Sequence, residues 1–430
     1  MEKEYVASSR IYGLTKSLKE MDQNVTIYLP NLPIENGYNY DFIDKVNYYP
    51  VKESLFLNFL RECYKKNKKR KANNHNNSEK KDFIYESRMY SNIYNIYLRH
   101  QVYFYRNTNK YYNIKYSKKM TANLNNSTTN TILFTSSGPS IMNYFGYRIK
   151  LKNPNIFWIA DYRDLNQNNP YLSDEVNFKG KKMDKLAFKY ADLITTVSQG
   201  AKEQNIKNAE NMGFDISNKS YVLYNGFSKN EINNSENVNI TVKYKNILTT
   251  QKIIIAFTGT IYPLRRIDLF LEALKEVKNI LFVYAGGSFD LVEHFTKKLG
   301  IASKVINLKF IPREEAEFLQ KNCDILLQLK AEVKEDGILT GKFYEYLQRN
   351  KKILSLGDQD EEYNLICRDL KNVDILPYVK EKIVNYLKNL RKEDLKETYD
   401  PNIERFSWEY LAKEFDDFVS QKLKERKSNI

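Results

Sequence analysis

Hydrophobic positions in the second half of the chain form short continuous runs separated by stretches with helical spacing. The runs Ile253 to Thr258, Ile280 to Tyr284 and Ile325 to Leu329 have the length and the β-branched content of buried strands. Strands that alternate with helices build a parallel sheet with helices on both faces. Residues 253–400 are therefore predicted to form a doubly wound, Rossmann-like domain.

The first half of the chain shows the same alternation from residue 131 onward, after a helix and a strand near its start. Strands are predicted at Thr131 to Thr135, Ile156 to Ala160, Leu193 to Val197 and Tyr221 to Tyr224. Residues 1–228 are therefore predicted to form another doubly wound domain. The pattern begins with a helix, whereas such sheets normally begin with a strand. Either the first strand is absent or the true start lies upstream of residue 1, and we expect the second.

The remaining segments connect and complete these two domains. Residues 229–252 are polar and lack a long apolar run, so they are interpreted as a linker. Residues 401–430 contain apolar side chains at helical spacing and are predicted to form an amphipathic helix that packs back on the first domain. The fold class is α/β, with two doubly wound domains facing a cleft, where ligands bind at the carboxyl ends of the strands.

Charge is distributed unevenly along the chain. Residues 1–150 hold 24 Lys and Arg against 12 Asp and Glu, which is +12 of the total net charge of +15. A basic, Tyr-rich insertion at about 40–125 contributes most of it, with a solvated basic run at 61–82 and a predicted helix at 83–105. Such a surface suits acidic lipid or nucleic acid. Base composition alone, in an AT-rich genome, would also enrich Lys, Asn and Tyr.

Several classes of chemistry lack support in the sequence. The three cysteines are far apart and give neither a disulfide framework nor a zinc site. The three histidines lie outside every polar cluster, so Ser-His-Asp and zinc mechanisms are not indicated. No apolar run approaches the ~18 to 20 residues of a membrane span, and we expect a cytoplasmic protein.

Three glycine-containing turns follow strands of the second predicted sheet. Gly259 and Thr260 follow the first strand, with Arg265 and Arg266 close behind, and Gly286 and Gly287 follow the second. Backbone amides at such turns can hold a phosphate, and an arginine can reach it bidentately. Each turn alone could be a plain strand-to-helix connection, but all three are expected at one sheet edge, which favours nucleotide binding.

The third turn lies in the stretch Gly337 to Gly357, which reads as loop, helix and strand. Thr340, Gly341 and Lys342 open the helix, where free N–H groups and a lysine suit a phosphate. Glu345 follows one turn later, at a distance suited to the two hydroxyls of a ribose. An ordinary capped helix would account for the same residues.

Charged residues also follow a strand of the first domain. Asp161, Arg163 and Asp164 come directly after Ile156 to Ala160, so they are expected at the carboxyl edge of that sheet. They form either a salt-bridged structural corner or a catalytic site that faces the cleft. Metal ligation by the two aspartates has no supporting histidine or D-x-D spacing, and no metal or other cofactor is expected.

A known family shows the same blocks in the same order across residues 8 to 425. The blocks are TSSGPS, FWIADYRDL, ADLITTVSQG, NGF, FTGTIYPLRRIDLFLEAL, VYAGG, FIPREEA and GILTGKFYEYL. This pattern resembles the retaining glycosyltransferases of family four, which have the GT-B fold. The insertion at about 40–125 has no counterpart in that pattern.

The resemblance implies a nucleotide-sugar donor held mainly by the second domain. Glu345 matches the carboxylate on the ribose, and Arg265 matches the basic residue on the diphosphate. Leu339 to Lys342 match the amides on the phosphates, and Ile311 marks where the base is read. Gly259, Thr260, Gly286 and Gly287 complete the predicted donor site.

Two positions depart from the family: Gly337 stands where many members have glutamate, and Thr260 where many have arginine. The family's glycine-rich loop after the first strand has no match in this chain.

The activity implied is sugar transfer with retention of configuration, without a metal, in bacterial surface polysaccharide synthesis. The acceptor is predicted to be a saccharide or a lipid-linked saccharide, with residues 61–81 contacting an anionic membrane at its inner face. One alternative is a nucleotide-sugar enzyme without transfer, such as an epimerase. The other is a nucleic-acid binder that uses the basic, Tyr-rich region; it leaves the glycine turns unexplained, so no nucleic-acid partner is expected.

Overall fold

The computed structural model describes most of both predicted domains. It describes residues 6–31, 43, 45–50, 131–137, 140–168, 174–229, 238–262, 264–332, 340–395 and 399–428. The predictions for the basic run at 61–82, the helix at 83–105 and most of the insertion at 40–125 lie outside the described residues.

The first domain is built on a four-stranded parallel sheet in the order β3-β4-β5-β6. Its strands are β3 (Ile132–Ser137), β4 (Phe157–Tyr162), β5 (Leu193–Thr196) and β6 (Ser220–Val222). Its helices are α1 (Val6–Glu20), α2 (Ile141–Lys152), α3 (Asp174–Tyr190) and α4 (Gln199–Glu210). A separate parallel pair consists of β1 (Thr26–Asn31) and β2 (Lys45–Pro50).

Strand β4 shows why this sheet is covered on both faces. All six of its residues are buried, and successive side chains point to opposite faces of a strand. Trp158 and Ala160 pack in the core with Ile149 of α2, whereas Phe157 and Ile159 pack in the core with Leu14 of α1. The continuous apolar run therefore reflects burial on both sides, as in other doubly wound sheets.

The second domain contains a six-stranded parallel sheet in the order β12-β11-β10-β7-β8-β9. Its strands are β7 (Ile253–Thr258), β8 (Ile280–Ala285), β9 (Val305–Asn307), β10 (Ile325–Leu329), β11 (Lys352–Leu356) and β12 (Val373–Leu376). Chain order reverses between β7 and β10, and the crevice at such a reversal is where these folds bind ligands. The predicted α/β fold with two doubly wound domains is confirmed.

Helices cover both faces of the second sheet. They are α5 (Val238–Leu248), α6 (Ile267–Lys275), α7 (Phe289–Leu299), α8 (Arg313–Asn322), α9 (Gly341–Leu347), α10 (Glu361–Cys367) and α11 (Lys380–Asn389).

Part of the stretch predicted as a linker, 229–252, forms helix α5. Ile240, Tyr244 and Ile247 are spaced along one face of α5 and are buried in the core of the second domain. Three apolar residues at this spacing suffice for a packed helix without a continuous apolar run.

The chain passes between the domains twice, and the two crossings are bonded to each other. The N–H of Phe227 donates to the carbonyl of Phe406 at 3.0 Å, and the N–H of Trp408 donates to the carbonyl of Phe227 at 2.9 Å. After the second crossing, α12 (Trp408–Ser428) packs beside α1 and buries Trp408 and Phe415 with Leu14. The predicted return of the C-terminal helix to the first domain is therefore confirmed.

Within the described residues, no helix combines the length and the apolar character needed to cross a bilayer.

Replacing Gly13 with alanine should loosen the packing of α12 on α1. A Cβ at this position would lie 2.2 Å from the Trp408 indole, which is buried, so the ring must shift. Overpacking of this kind costs ~1–3 kcal/mol, more than the ~1 kcal/mol that alanine gains over glycine in a helix. We expect Gly13→Ala to lower the midpoint of denaturant unfolding followed by tryptophan fluorescence. Glu20→Ala, at the exposed end of the same helix, should leave it unchanged, and an equal shift in both variants would contradict this packing account.

Candidate functional site

The carboxyl edge of the second sheet brings two of the predicted glycine turns into contact. Gly259 follows β7 with φ of +116°, a conformation that favours glycine. A Cβ at Gly286, after β8, would lie only 1.8 Å from the Gly259 carbonyl oxygen. The Gly259 N–H donates to the Ala285 carbonyl at 2.7 Å. Neither glycine can be replaced without moving the backbone, so the turns form a fixed floor for the crevice.

The third turn places a lysine on this floor. A Cβ at Gly259 would lie 2.5 Å from the Lys342 Nζ, and this nitrogen is 4.0 Å from the centroid of the Phe257 ring. Burial of the ammonium lowers the pKa of Lys342 to about 7; the nearby charge of Arg265 lowers it too, and that of Glu345 partly opposes the shift. An anion bound beside Lys342 would favour its charged form.

A network of side chains orients Glu345, which is partly exposed. The buried Gln320 amide donates to Glu345 Oε1 at 3.4 Å and to Thr258 Oγ1 at 2.8 Å. Gln320 is itself held by Arg349, whose Nε donates to its amide oxygen at 3.1 Å. The carboxylate of Glu345 is thus tied to the end of β7, one turn from Lys342. Gln320 and Arg349 hold Glu345 in place, and sequence patterns did not reveal them, because they come from α8 and from the residues just after α9.

Helix α9 begins at Gly341 and is only seven residues long. Gln328 of β10 donates to the Thr340 hydroxyl at 3.2 Å and fixes the start of the helix. A helix this short aligns few peptide dipoles, so its own contribution to the positive potential is limited. Leu339 and Gly337 lie outside the described residues, and the predicted role of Leu339 stays a prediction.

The two arginines after β7 have different surroundings. Arg266 is ion-paired with Asp268 at 2.8 Å and with Glu332 at 2.9 Å. The Arg265 guanidinium lies 5.2 Å from the centroid of the Tyr262 ring and acts on the pKa of Lys342. The sequence offered both arginines as contacts for a phosphate. Arg265 is the one that lies beside Lys342 in the crevice.

The segment that contains Ile311 lies next to the second glycine turn. The Gly286 N–H donates to the Lys309 carbonyl at 2.8 Å, and a Cβ at Gly287 would lie 3.6 Å from the Phe310 ring and 2.8 Å from Thr260 Oγ1. Ile311 itself is partly buried against the core of the second domain. Phe310 is 51% exposed, and this aromatic surface at the sheet edge was not predicted from the sequence. Its signals in the sequence were its place three residues after β9 and at the start of the block FIPREEA.

On the first domain, Asp161 is fully enclosed. It accepts hydrogen bonds from Arg10 Nη2 at 2.8 Å, Ser136 Oγ at 2.7 Å and Thr195 Oγ1 at 2.8 Å. Burial alone would raise the pKa of Asp161, but the charge of Arg10 and these hydrogen bonds hold it below its usual range. These are the contacts of the salt-bridged corner, the first of the two alternatives from the sequence. A catalytic role for Asp161 stays a prediction.

Arg163 and Asp164 occupy the turn after β4. Arg163 is partly buried and its Nε donates to the Ser137 carbonyl at 3.0 Å, while Asp164 is exposed. Both therefore lie at the carboxyl edge of the first sheet, as predicted. Among the residues that the structure describes, no three His, Cys, Asp or Glu side chains are grouped as metal ligands would be.

Comparison by sequence finds no relatives: no protein-family model and no curated protein matches the chain. Comparison by structure finds many. A glycosyltransferase from Rickettsia africae has a TM-score of 0.59 at 12% identity, over 98% of this chain and 96% of that one. The lipopolysaccharide outer core galactosyltransferase WaaB, in its apo form, has a TM-score of 0.56 at 13% identity, over 97% of this chain and 96% of that one.

A third similar structure carries a ligand. HepE from Anabaena, crystallised in complex with UDP, has a TM-score of 0.56 at 14% identity and covers 72% of this chain and 82% of its own. At such identities the similarity shows the fold. The chain therefore has the GT-B architecture of these glycosyltransferases, with two Rossmann-like domains.

Removing Arg10 should destabilise the first domain strongly. Arg10→Met leaves the buried Asp161 carboxylate without its countercharge, and breaking a buried pair in this way costs about 3–5 kcal/mol. The loss should be largest at neutral pH and shrink as pH falls. Without its countercharge, burial raises the pKa of Asp161 in the variant, so the carboxylate there takes up a proton while the wild-type carboxylate stays ionised and paired. Urea unfolding at pH 7 and pH 4 measures it.

A surface pair provides the control for this experiment. Lys297 and Glu293 are 2.7 Å apart and exposed, so Lys297→Met should cost no more than ~0.5 kcal/mol. Equal losses for Arg10→Met and Lys297→Met would show that the pair between Arg10 and Asp161 is not the constraint described here.

Proposed function

We propose that the protein is a glycosyltransferase that moves a sugar from a nucleotide-sugar donor to a saccharide or lipid-linked saccharide acceptor. The observation that carries this proposal is the ammonium of Lys342, which lies against the turn at Gly259 and the Phe257 ring, with Glu345 one helical turn away. A partly buried cation favours a bound anion, and a carboxylate at that distance suits a ribose. Together they match the two ends of a nucleoside diphosphate.

The described residues suggest how the donor would lie. The diphosphate would contact Lys342, Arg265 and the amides around Gly341, with Gly259, Gly286 and Gly287 leaving space for it. The ribose would contact Glu345, which Gln320 orients. The base would lie near Ile311, where the exposed ring of Phe310 offers a stacking surface. Thr260, against Gly287, would line the same edge.

The chemistry proposed is transfer with retention, without a metal. Positive charge from Lys342 and Arg265 would stabilise the departing diphosphate as its charge develops. The diphosphate oxygen would accept the proton of the acceptor hydroxyl on the same face of the sugar. This scheme needs no protein nucleophile, which agrees with the absence of a nucleophile and base pair in the sequence motifs.

The acceptor would bind against the first domain. Arg163 and Asp164, on the turn after β4, would contact hydroxyl groups of the acceptor or of the donor sugar. Asp161 would hold that turn in place through Arg10 rather than touch the substrate, since its carboxylate is enclosed. Two proteins that share this fold support the proposal. HepE is crystallised with UDP, and WaaB is a lipopolysaccharide outer core galactosyltransferase. The name of WaaB supports placing the proposed transfer in surface polysaccharide synthesis. The proposed lipid contact at the inner face of the membrane rests on the positive charge of residues 61–81 alone.

Glu345→Gln and Arg265→Ala should both weaken donor binding. Each removes a charge-assisted hydrogen bond, which contributes ~1.5–3 kcal/mol, so the Kd of the donor measured by calorimetry should rise about 10- to 100-fold. Arg266→Ala is the matched control, because Arg266 is already paired with Asp268 and Glu332. Unchanged donor binding in the first two variants, or an equal loss in the control, would rule out this donor site.

Donor affinity should depend on pH through Lys342. Its pKa of about 7 in the free protein should rise when the diphosphate binds, so binding takes up a proton. The Kd of a nucleotide sugar, whose diphosphate does not titrate near neutral pH, should therefore be lowest below pH 7. It should rise between pH 7 and 9. Lys342→Met should bind more weakly and show a flat profile, and a wild-type Kd that falls with rising pH would contradict the proposal.

A further inference from the structure

The first amides of α4 donate their hydrogen bonds to two different side chains. The first amides of any helix have no partner within the helix. Here the Ser198 hydroxyl accepts from the Ala201 N–H at 3.1 Å, as an ordinary N-cap does. The N–H groups of Gln199 and Gly200 donate instead to Glu362, to Oε1 at 2.5 Å and to Oε2 at 2.8 Å. One carboxylate thus satisfies both remaining amides.

Glu362 belongs to the other domain. It lies on α10, which follows β11 at the carboxyl edge of the second sheet, whereas α4 follows β5 at the carboxyl edge of the first sheet. The two edges border the cleft, so this bidentate contact spans it. The contact joins residues 162 positions apart, and it must break if the domains separate at this point.

The carboxylate of Glu362 is not needed to cap its own helix. The side chain of Asp360 accepts from the Tyr363 N–H at 3.0 Å and so caps α10. Burial raises the pKa of Glu362, although the amides of Gly200 and Gln199 act against the shift. A partly buried carboxylate is costly without partners. The hydrogen-bond partners of the Glu362 carboxylate are therefore the amides of α4 rather than those of its own helix, α10.

The contact also adjoins the proposed donor helix. Tyr224 of the first domain donates to Glu362 Oε1 at 3.4 Å. Tyr344, which precedes Glu345 on α9, is fully buried, and burial raises its pKa, with the charges of Tyr224 and Glu362 adding to the shift. Tyr344 also packs against Phe406 at the second domain crossing, at 5.5 Å between ring centroids. The spanning contact therefore lies beside the cluster that joins α9 to the second domain crossing.

We propose that Glu362 is a positioning residue that holds the first domain against the second by binding the amides of Gln199 and Gly200. In doing so it fixes the separation of the two sheet edges, and so the distance between a donor on α9 and an acceptor near Arg163. The kinetic part of this inference rests on the proposed function. The structural part does not, because the contact joins protein atoms alone.

Hydrogen exchange tests the contact directly in the full chain without ligand. In Glu362→Ala, exchange of the Gln199 and Gly200 amides should become about tenfold faster or more, as expected when a hydrogen bond to a charged group is lost. The radius of gyration from small-angle scattering should increase. Glu362→Gln keeps an acceptor oxygen and should lie between wild type and the alanine variant. Glu361→Gln is the matched control, since it removes the same charge from an exposed neighbour on the same helix, and it should match wild type.

Kinetics then separate this inference from the proposed function. If both are correct, Glu362→Ala lowers kcat and leaves the donor Kd unchanged, and Glu362→Gln partly restores kcat. Faster exchange without any detectable transfer in wild type would support the contact and overturn the proposed function. Wild-type exchange and wild-type scattering in both Glu362 variants would overturn the inference, and the glutamine variant provides that test even if the alanine variant does not fold.

Discussion

The ammonium of Lys342, packed against the turn at Gly259 and the ring of Phe257, is the feature on which the functional interpretation depends. The backbone shapes this place, since the turn at Gly259 lies directly against Gly286 and neither residue admits a Cβ. A charge in such a place is costly unless it is compensated, and the pKa lowered to about 7 expresses that cost. Glu345 compensates it only in part. An anion supplied from the crevice would complete the balance, and a diphosphate has the charge and the size to do so.

Buried charges with nearby partners also link the two domains. Asp161 and Arg10 form a buried pair inside the first domain, and the Arg10 guanidinium also donates to the carbonyl of Tyr224 at 2.9 Å. Tyr224 in turn reaches Glu362 of the second domain. Charges and hydrogen bonds thus run from Asp161 in β4 to Glu362 on α10. Together with the paired crossings at Phe227 and Trp408, they determine how the two sheet edges face each other.

The sequence predicts the strands well because these are buried on both faces. Ile253–Thr258 and Ile325–Leu329 are observed at the predicted residues, since a short continuous apolar run is typical of a strand covered by helices on both sides. Helix α5 was missed because its three buried residues are separated by polar ones. The glycine turns could be placed at one edge from the order of strands and helices alone.

The partners of the charged residues could not be predicted in this way. Arg10 lies 151 residues from Asp161, and Glu362 lies in a run of acidic residues that looks like any exposed helix start. Whether a carboxylate is buried in an ion pair or free to meet a substrate depends on contacts between distant segments, and local pattern carries no signal for them. The same limit applies to Gln320, whose role behind Glu345 follows only from the packing of α8 on the sheet.

The central claim is that the crevice beside Lys342 holds a nucleoside diphosphate joined to a sugar. The most direct test is a thermal-shift panel of UDP-, GDP- and ADP-sugars on the wild-type protein and on Lys342→Met. A ligand at 100 times its Kd stabilises a protein by about 2.7 kcal/mol. We expect one nucleotide class to raise the Tm of the wild-type protein and to have little effect on the variant. No shift with any of the three, or equal shifts in both proteins, would contradict the claim.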